Sequence, residues 1–230
     1  MSAFRYLIRA LLVCSLLVPA SATARKADAE LPPIIDYRER FLPVVAREGM
    51  VVATERLAAE VGKRILQQGG NAVDAAVATG FALAVTYPRA GNLTGGGFML
   101  IHLAAENRQV FIDYRETAPQ AATRDMFLDE NGEVDNKRAF SSHQSAGVPG
   151  TVAGLLHALE EHGTMSRKEV LGPAIELAEK GLTVSFSLNY EITARGQRLR
   201  GNPEALRLFF RPDGKAYDIG ETWRQPDLAW

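Results

Sequence analysis

The residues best placed for chemistry are those of Asp113-Tyr114-Arg115-Glu116-Thr117-Ala118-Pro119, where charged side chains gather at the end of an apolar run and beside a proline-marked turn. Strand ends on a rigid scaffold are common places for substrate contacts. The plainer reading of the same residues is a solvated cluster in which Arg115 pairs with Asp113 or Glu116. Other chemistry-bearing residues are spaced unfavourably. His102, His143, His157 and His162 include no i, i+4 pair that would set two metal ligands on one helix face. Gly95-Gly96-Gly97 has no lysine at the required spacing and a strand-like run after it, so no helix N-terminus is available to hold a phosphate. It reads as a backbone turn that needs positive φ or the close approach of another segment. No G-x-S-x-G elbow occurs, and Ser142 and His143 are merely adjacent in sequence, which does not make a dyad. Spacing alone therefore assigns no catalytic residue, no metal site and no cofactor.

Arg115 has to be positioned by the elements around it. Residues 98–103 and 109–114 are predicted to pair as a hairpin across a polar turn at 105–108. Upstream, the short apolar run 50–53 reads as a strand. Leu57, Val61 and Ile65 then recur every four residues, predicting an amphipathic helix over 55–68 that stops at Gly69-Gly70. Asn71 suits an N-cap, with Asp74 three residues on, and 72–85 is apolar almost all round, which predicts a core helix ended by Pro88.

Downstream of the hairpin, 117–147 is mixed and polar with a turn at Asn131-Gly132, giving surface structure and at most a short helix. Pro149 occupies a first-helical position, and Val152, Leu155, Leu156 and Leu159 predict a helix over 149–162, with His157 and His162 on its solvated side. Further helices are expected at 167–180, with Gly181 as C-cap, at 187–198 and at 204–210. This order of elements suits helices layered on a sheet, an α/β fold of α+β layered type, rather than regular βαβ alternation.

The 230 residues are 47% hydrophobic and 23% charged, the makeup of a globular chain with one sizeable core. The 26 basic and 27 acidic residues are interspersed, with no basic block to follow a phosphate backbone, so nucleic acid is not an expected partner. The N-terminus reads differently. Arg5 and Arg9 precede an apolar run ending near Ala20, and Ala22-Thr23-Ala24 forms a small-residue cleavage site. Residues 1–24 are expected to be a signal peptide, too short in its apolar part for a stable membrane anchor. Residues 25–48, marked by Pro32, Pro33 and Pro43, read as an extended arm, and 49–230 as the domain. Cys14, the only cysteine, lies in the leader, so the mature chain has neither a disulfide framework nor a cysteine nucleophile. Secretion, into a bacterial periplasm, is the expected location.

Five segments together identify a resemblance. Gly69-Gly70-Asn71-Ala72-Val73-Asp74-Ala75-Ala76, Gly91-Asn92-Leu93-Thr94-Gly95-Gly96-Gly97-Phe98-Met99-Leu100, 113–119, Gly147-Val148-Pro149-Gly150-Thr151-Val152-Ala153-Gly154 and, more weakly, Trp223-Arg224-Gln225-Pro226-Asp227-Leu228-Ala229 resemble the γ-glutamyltransferase family from about residue 46 to the end. The resemblance implies part of the αββα sandwich of N-terminal-nucleophile hydrolases, in a precursor that cleaves itself into large and small subunits. It implies γ-glutamyl transfer and hydrolysis of glutathione and other γ-glutamyl compounds, without a cofactor. The catalytic threonine that opens the small subunit lies beyond residue 230 in that scheme. This chain would then be an incomplete large subunit that depends on the missing C-terminal remainder. Arg115 matches the arginine that grips the substrate α-carboxylate, a role suited to the planar fork of a guanidinium. Two other readings stay open: a truncated product without activity, and a periplasmic binding module for γ-glutamyl or amino-acid ligands. In an incomplete sandwich the helices after Arg198 are expected to lack packing partners and to promote aggregation.

Overall fold

A computed structural model describes residues 44–230; the expected signal peptide, and most of the expected arm, lie outside the described residues. Residues 46–230 form one compact unit. Its axis is the helix α2 (Ala72–Thr86), which follows α1 (Arg56–Gln67). Small side chains let α1 and α2 approach closely: a Cβ on Gly62 would lie 3.1 Å from the Ala75 carbonyl oxygen. The four-residue repeat of α1 turns Ala58, Val61 and Ile65 into the core. In α2 eleven residues are buried, because the helix is covered on all sides. Asn71 caps it, its side-chain oxygen accepting from the N–H groups of Val73 (2.8 Å) and Asp74 (3.0 Å), while Asp74 accepts from the Asn71 N–H at 2.8 Å.

Strands β1 (Phe98–Leu103) and β2 (Arg108–Asp113) form an antiparallel hairpin in the register Phe98↔Asp113 to Leu103↔Arg108. A 3₁₀ turn at Ala104–Glu106 closes it, with Asn107 left-handed at φ 47°. Strand alternation sends Met99, Val110 and Ile112 to the core, with Ile101 buried among them. It leaves Phe98, Leu100 and Phe111 on the opposite face at 55%, 70% and 62% exposure.

The polar stretch after the hairpin contains α3 (Asn136–Ser141), capped by Asp135. Helices α4 (Thr151–His162) and α5 (Arg167–Lys180) then pack on α2. Gly181 terminates α5 with φ 86°. The last part comprises β3 (Leu182–Thr183), α6 (Phe186–Leu199), α7 (Pro203–Phe209), β4 (Thr222–Trp223), which pairs with β3, and α8 (Pro226–Ala229).

Three expectations need correction. Residues 50–53 are not a strand; Val52 is 83% exposed, and no ladder partner stands beside it among the described residues. The helix expected from 149 starts instead at Thr151, because the N–H groups of Gly150 and Thr151 donate to the Gly95 carbonyl at 2.8 and 3.0 Å and draw the chain into the glycine loop. The segment after Arg198 is not left without partners. Trp223 is completely buried, packs on Phe209 with ring centroids 5.5 Å apart, and donates its indole N–H to the Leu208 carbonyl at 2.8 Å. After Arg198, Ile219 and Trp230 are exposed, and the hairpin adds an exposed apolar face of its own.

Candidate substrate-recognition site

Arg115 lies one residue past the inward-facing Tyr114, where β2 runs out of ladder. Tyr114 extends the hairpin by one more pair: its N–H donates to Gly97 O at 3.0 Å, and Gly97 N–H donates back at 3.3 Å. Asp113 turns the chain, its Oδ1 accepting the Arg115 N–H at 3.0 Å. A bridge between Thr117 and Val148, with N–H···O distances of 3.3 and 2.8 Å, ties the far side of the turn to the segment leading into α4. The backbone around Arg115 is thus fixed on both sides by main-chain bonds.

The guanidinium is held sideways. Its Nε stands 3.1 Å from Glu116 Oε2, and its Cζ lies 5.9 Å from the centroid of the Phe98 ring. The Arg115 side chain remains 60% exposed. Among the described residues its ion pair is the one to Glu116, made through Nε. The solvated pairing with Glu116 is therefore present, and it engages one edge of the guanidinium only.

The glycine run takes its meaning from this neighbourhood. None of Gly95, Gly96 and Gly97 has positive φ; the requirement is close approach. A Cβ on Gly96 would sit 2.6 Å from both the Glu116 N and the Tyr114 O, and one on Gly97 would sit 2.9 Å from the Tyr114 ring. On the other side, a Cβ on Gly154 would come within 2.6 Å of Tyr114 Cδ1. Burial raises the Tyr114 phenol above its ordinary value.

Three of the five family-like segments, 91–100, 113–119 and 147–154, therefore meet at Arg115, although the third lies more than thirty residues away in sequence. The other two are architectural. Asp74 caps α2 and receives the Thr164 hydroxyl and the N–H groups of Thr164 and Met165. Gln225 is buried, donating its amide to Val85 O at 2.8 Å. Sequence reading did not find the role of Tyr114; the available signal was the period-two alternation of β2, which points residue 114 inward.

The remaining polar candidates do not assemble. Ser142 donates its hydroxyl to the Arg138 carbonyl at 2.6 Å rather than to His143. His102 lies on β1 and His143 in a 3₁₀ turn, while His157 is exposed on α4 and His162 half-buried at its end. Among the described residues no group of three or more His, Cys, Asp or Glu side chains is arranged to hold a metal ion.

The fold is of α/β type, an antiparallel hairpin under layered helices, and comparison with known proteins gives the family. The sequence pattern of Gamma-glutamyltranspeptidase matches residues 58–230. The glutathione hydrolase proenzyme of Escherichia coli is 45% identical over 215 residues, which is 93% of this chain and 37% of that protein. The crystal structure of Helicobacter pylori gamma-glutamyltranspeptidase superposes with a TM-score of 0.78 at 41% identity, over 81% of this chain and 54% of that one. A gamma-glutamyltranspeptidase from Pseudomonas nitroreducens complexed with L-DON gives 0.72 at 42% identity, over 80% and 53%. The chain belongs to the gamma-glutamyltranspeptidase family. It spans 37% of the length of its Escherichia coli relative.

Proposed function

We propose that this chain supplies the N-terminal part of the large subunit of a secreted, periplasmic γ-glutamyl-transferring enzyme, and that Arg115 binds the α-carboxylate of the γ-glutamyl group. The observation that carries this reading is the convergence of three separated segments on an arginine whose side chain is 60% exposed. A guanidinium so placed offers a carboxylate two parallel charge-assisted hydrogen bonds and keeps its charge at any working pH. The family membership supports the chemistry, since the Escherichia coli relative is a glutathione hydrolase proenzyme.

In this reading the bond-making group is a threonine hydroxyl outside the present chain. It adds to the γ-glutamyl amide carbonyl, the amine departs with the proton, and water or an amino-acid amine takes the acyl group from the resulting ester. Arg115 changes no bond. It holds the donor so that the γ-carbonyl reaches the nucleophile, and no metal or organic cofactor is required. The partners are glutathione and related γ-glutamyl compounds and the remainder of the precursor, including the small subunit. Among the described residues no helix is long and apolar enough to cross a membrane.

The test is steady-state kinetics of the complete precursor product, processed into its subunits, on a γ-glutamyl anilide. Arg115→Lys removes the bidentate fork and is expected to raise KM about tenfold or more. An unchanged KM would remove Arg115 from the site.

A further inference from the structure

Successive residues of a strand point to opposite faces, so the direction of Arg115 is set by how firmly Tyr114 is held on the other side. Tyr114 is gripped to an unusual degree. Its ring occupies space that two glycines leave open, one from the loop before β1 and one from α4: an added Cβ would stand 2.9 Å from Cε2 at Gly97 and 2.6 Å from Cδ1 at Gly154. Its main chain is bonded to Gly97 in both directions, at 3.0 and 3.3 Å. Its carbonyl oxygen is approached by Gly96, where a Cβ would lie 2.6 Å away.

We infer that Tyr114 is the positioning residue for Arg115: its ring, seated between Gly97 and Gly154, locks the end of β2 to α4 and thereby aims the guanidinium. The inference rests on the reading of Arg115 as the carboxylate-binding group. The phenol oxygen forms no hydrogen bond among the described residues, so the ring, and not the hydroxyl, does the positioning. Glu116 and Phe98 then fix the guanidinium laterally, at 3.1 and 5.9 Å, but only from a backbone that Tyr114 has already placed.

The experiment compares Tyr114→Leu, Tyr114→Phe, Gly97→Ala and Arg115→Lys in the complete processed enzyme, with rates normalised to the amount of cleaved small subunit. A displacement of about 1 Å at a binding group can cost on the order of a hundredfold. Tyr114→Leu is therefore expected to raise KM for a γ-glutamyl anilide between about ten- and a hundredfold, with kcat per cleaved subunit held within about threefold. Tyr114→Phe retains the ring and should bring KM back to within about twofold of the parent enzyme. Gly97→Ala, whose Cβ would meet the outer end of the ring at Cε2, Cζ and the hydroxyl, should raise KM by a smaller factor and covers the case in which Tyr114→Leu does not fold.

The inference is overturned if Gly97→Ala and any folded Tyr114→Leu leave KM unchanged while Arg115→Lys raises it. It is equally overturned if Tyr114→Phe loses as much as Tyr114→Leu, since the hydroxyl would then be the active element, or if kcat falls with KM unchanged. Should Arg115→Lys itself leave KM unchanged, the reading of Arg115 fails, and the inference fails with it for a distinguishable reason.

Discussion

Thr164 clamps Asp74 from ninety positions away, its N–H donating to Oδ1 at 2.9 Å and its hydroxyl to Oδ2 at 2.7 Å. The contact joins the start of α2 to the α4–α5 connection, and Met165 N–H adds a third donor at 3.1 Å. Asp74 is fully buried, so this carboxylate is tolerated only because its oxygens are satisfied.

Asp74→Ala should cost about 3 kcal/mol of stability, since it removes a cap and orphans several buried donors. Urea unfolding of parent and variant at pH 7 checks this. Burial pushes the Asp74 carboxyl up, but the Thr164 hydroxyl and the N–H groups of Asn71, Thr164 and Met165 outweigh it and hold the group below its ordinary value. A lowered folded pKa gives stability that is complete above the unfolded aspartate value of about 3.9 and is lost as pH falls below it toward the native value. The gap between parent and variant should therefore be constant from neutral pH down to about 5 and narrow below 4.

Two glycines give opposite predictions for the same substitution. Gly96→Ala places a Cβ 2.6 Å from backbone atoms of Glu116 and Tyr114, which cannot give way without moving the strand end. A loss of about 2 kcal/mol or more is expected. Gly172→Ala, within α5 and with nothing inside 4 Å, should stabilise by up to about 1 kcal/mol through helix propensity. Thermal denaturation of the two variants side by side separates steric cost from propensity.

Gln225 reaches into the core to complete the end of α2. The helix ends at Thr86, and the Val85 carbonyl in its last turn accepts the Gln225 amide at 2.8 Å. Gln225→Leu keeps the volume but leaves the carbonyl unsatisfied, at a cost of about 1–3 kcal/mol. The midpoint of chemical denaturation should fall with an unchanged slope.

The outer face of the hairpin should govern self-association. Phe98 and Phe111 stack there with centroids 5.8 Å apart, more than half exposed beside Leu100. Phe111→Lys leaves the inward face of β2 untouched and should reduce aggregation of the 230-residue chain in light scattering, with circular dichroism unchanged. Substituting the buried Phe210 should not improve solubility.

Local physics was enough for much of this chain. The four-residue repeat of Leu57, Val61 and Ile65, the Asn71 and Asp74 cap, the alternation of the hairpin and the glycine stop at 181 each report interactions between residues close in sequence, and the corresponding elements stand within a residue or two of their expected ends. The apolar run 50–53 was legible as strand-like but not as unpaired, because a ladder needs a partner and alternation says nothing of one.

Family-like segments could be read in the sequence, whereas their division of labour could not. Asp74 and Gln225 turned out to be internal fastenings, while Gly96, Gly97 and Gly154 are empty spaces reserved for Tyr114 and its neighbours. A glycine reports only that something comes close. Which segment comes close is a long-range steric fact, decided when α4 packs beside the end of β2 and brings residues 97, 114 and 154 together around one ring.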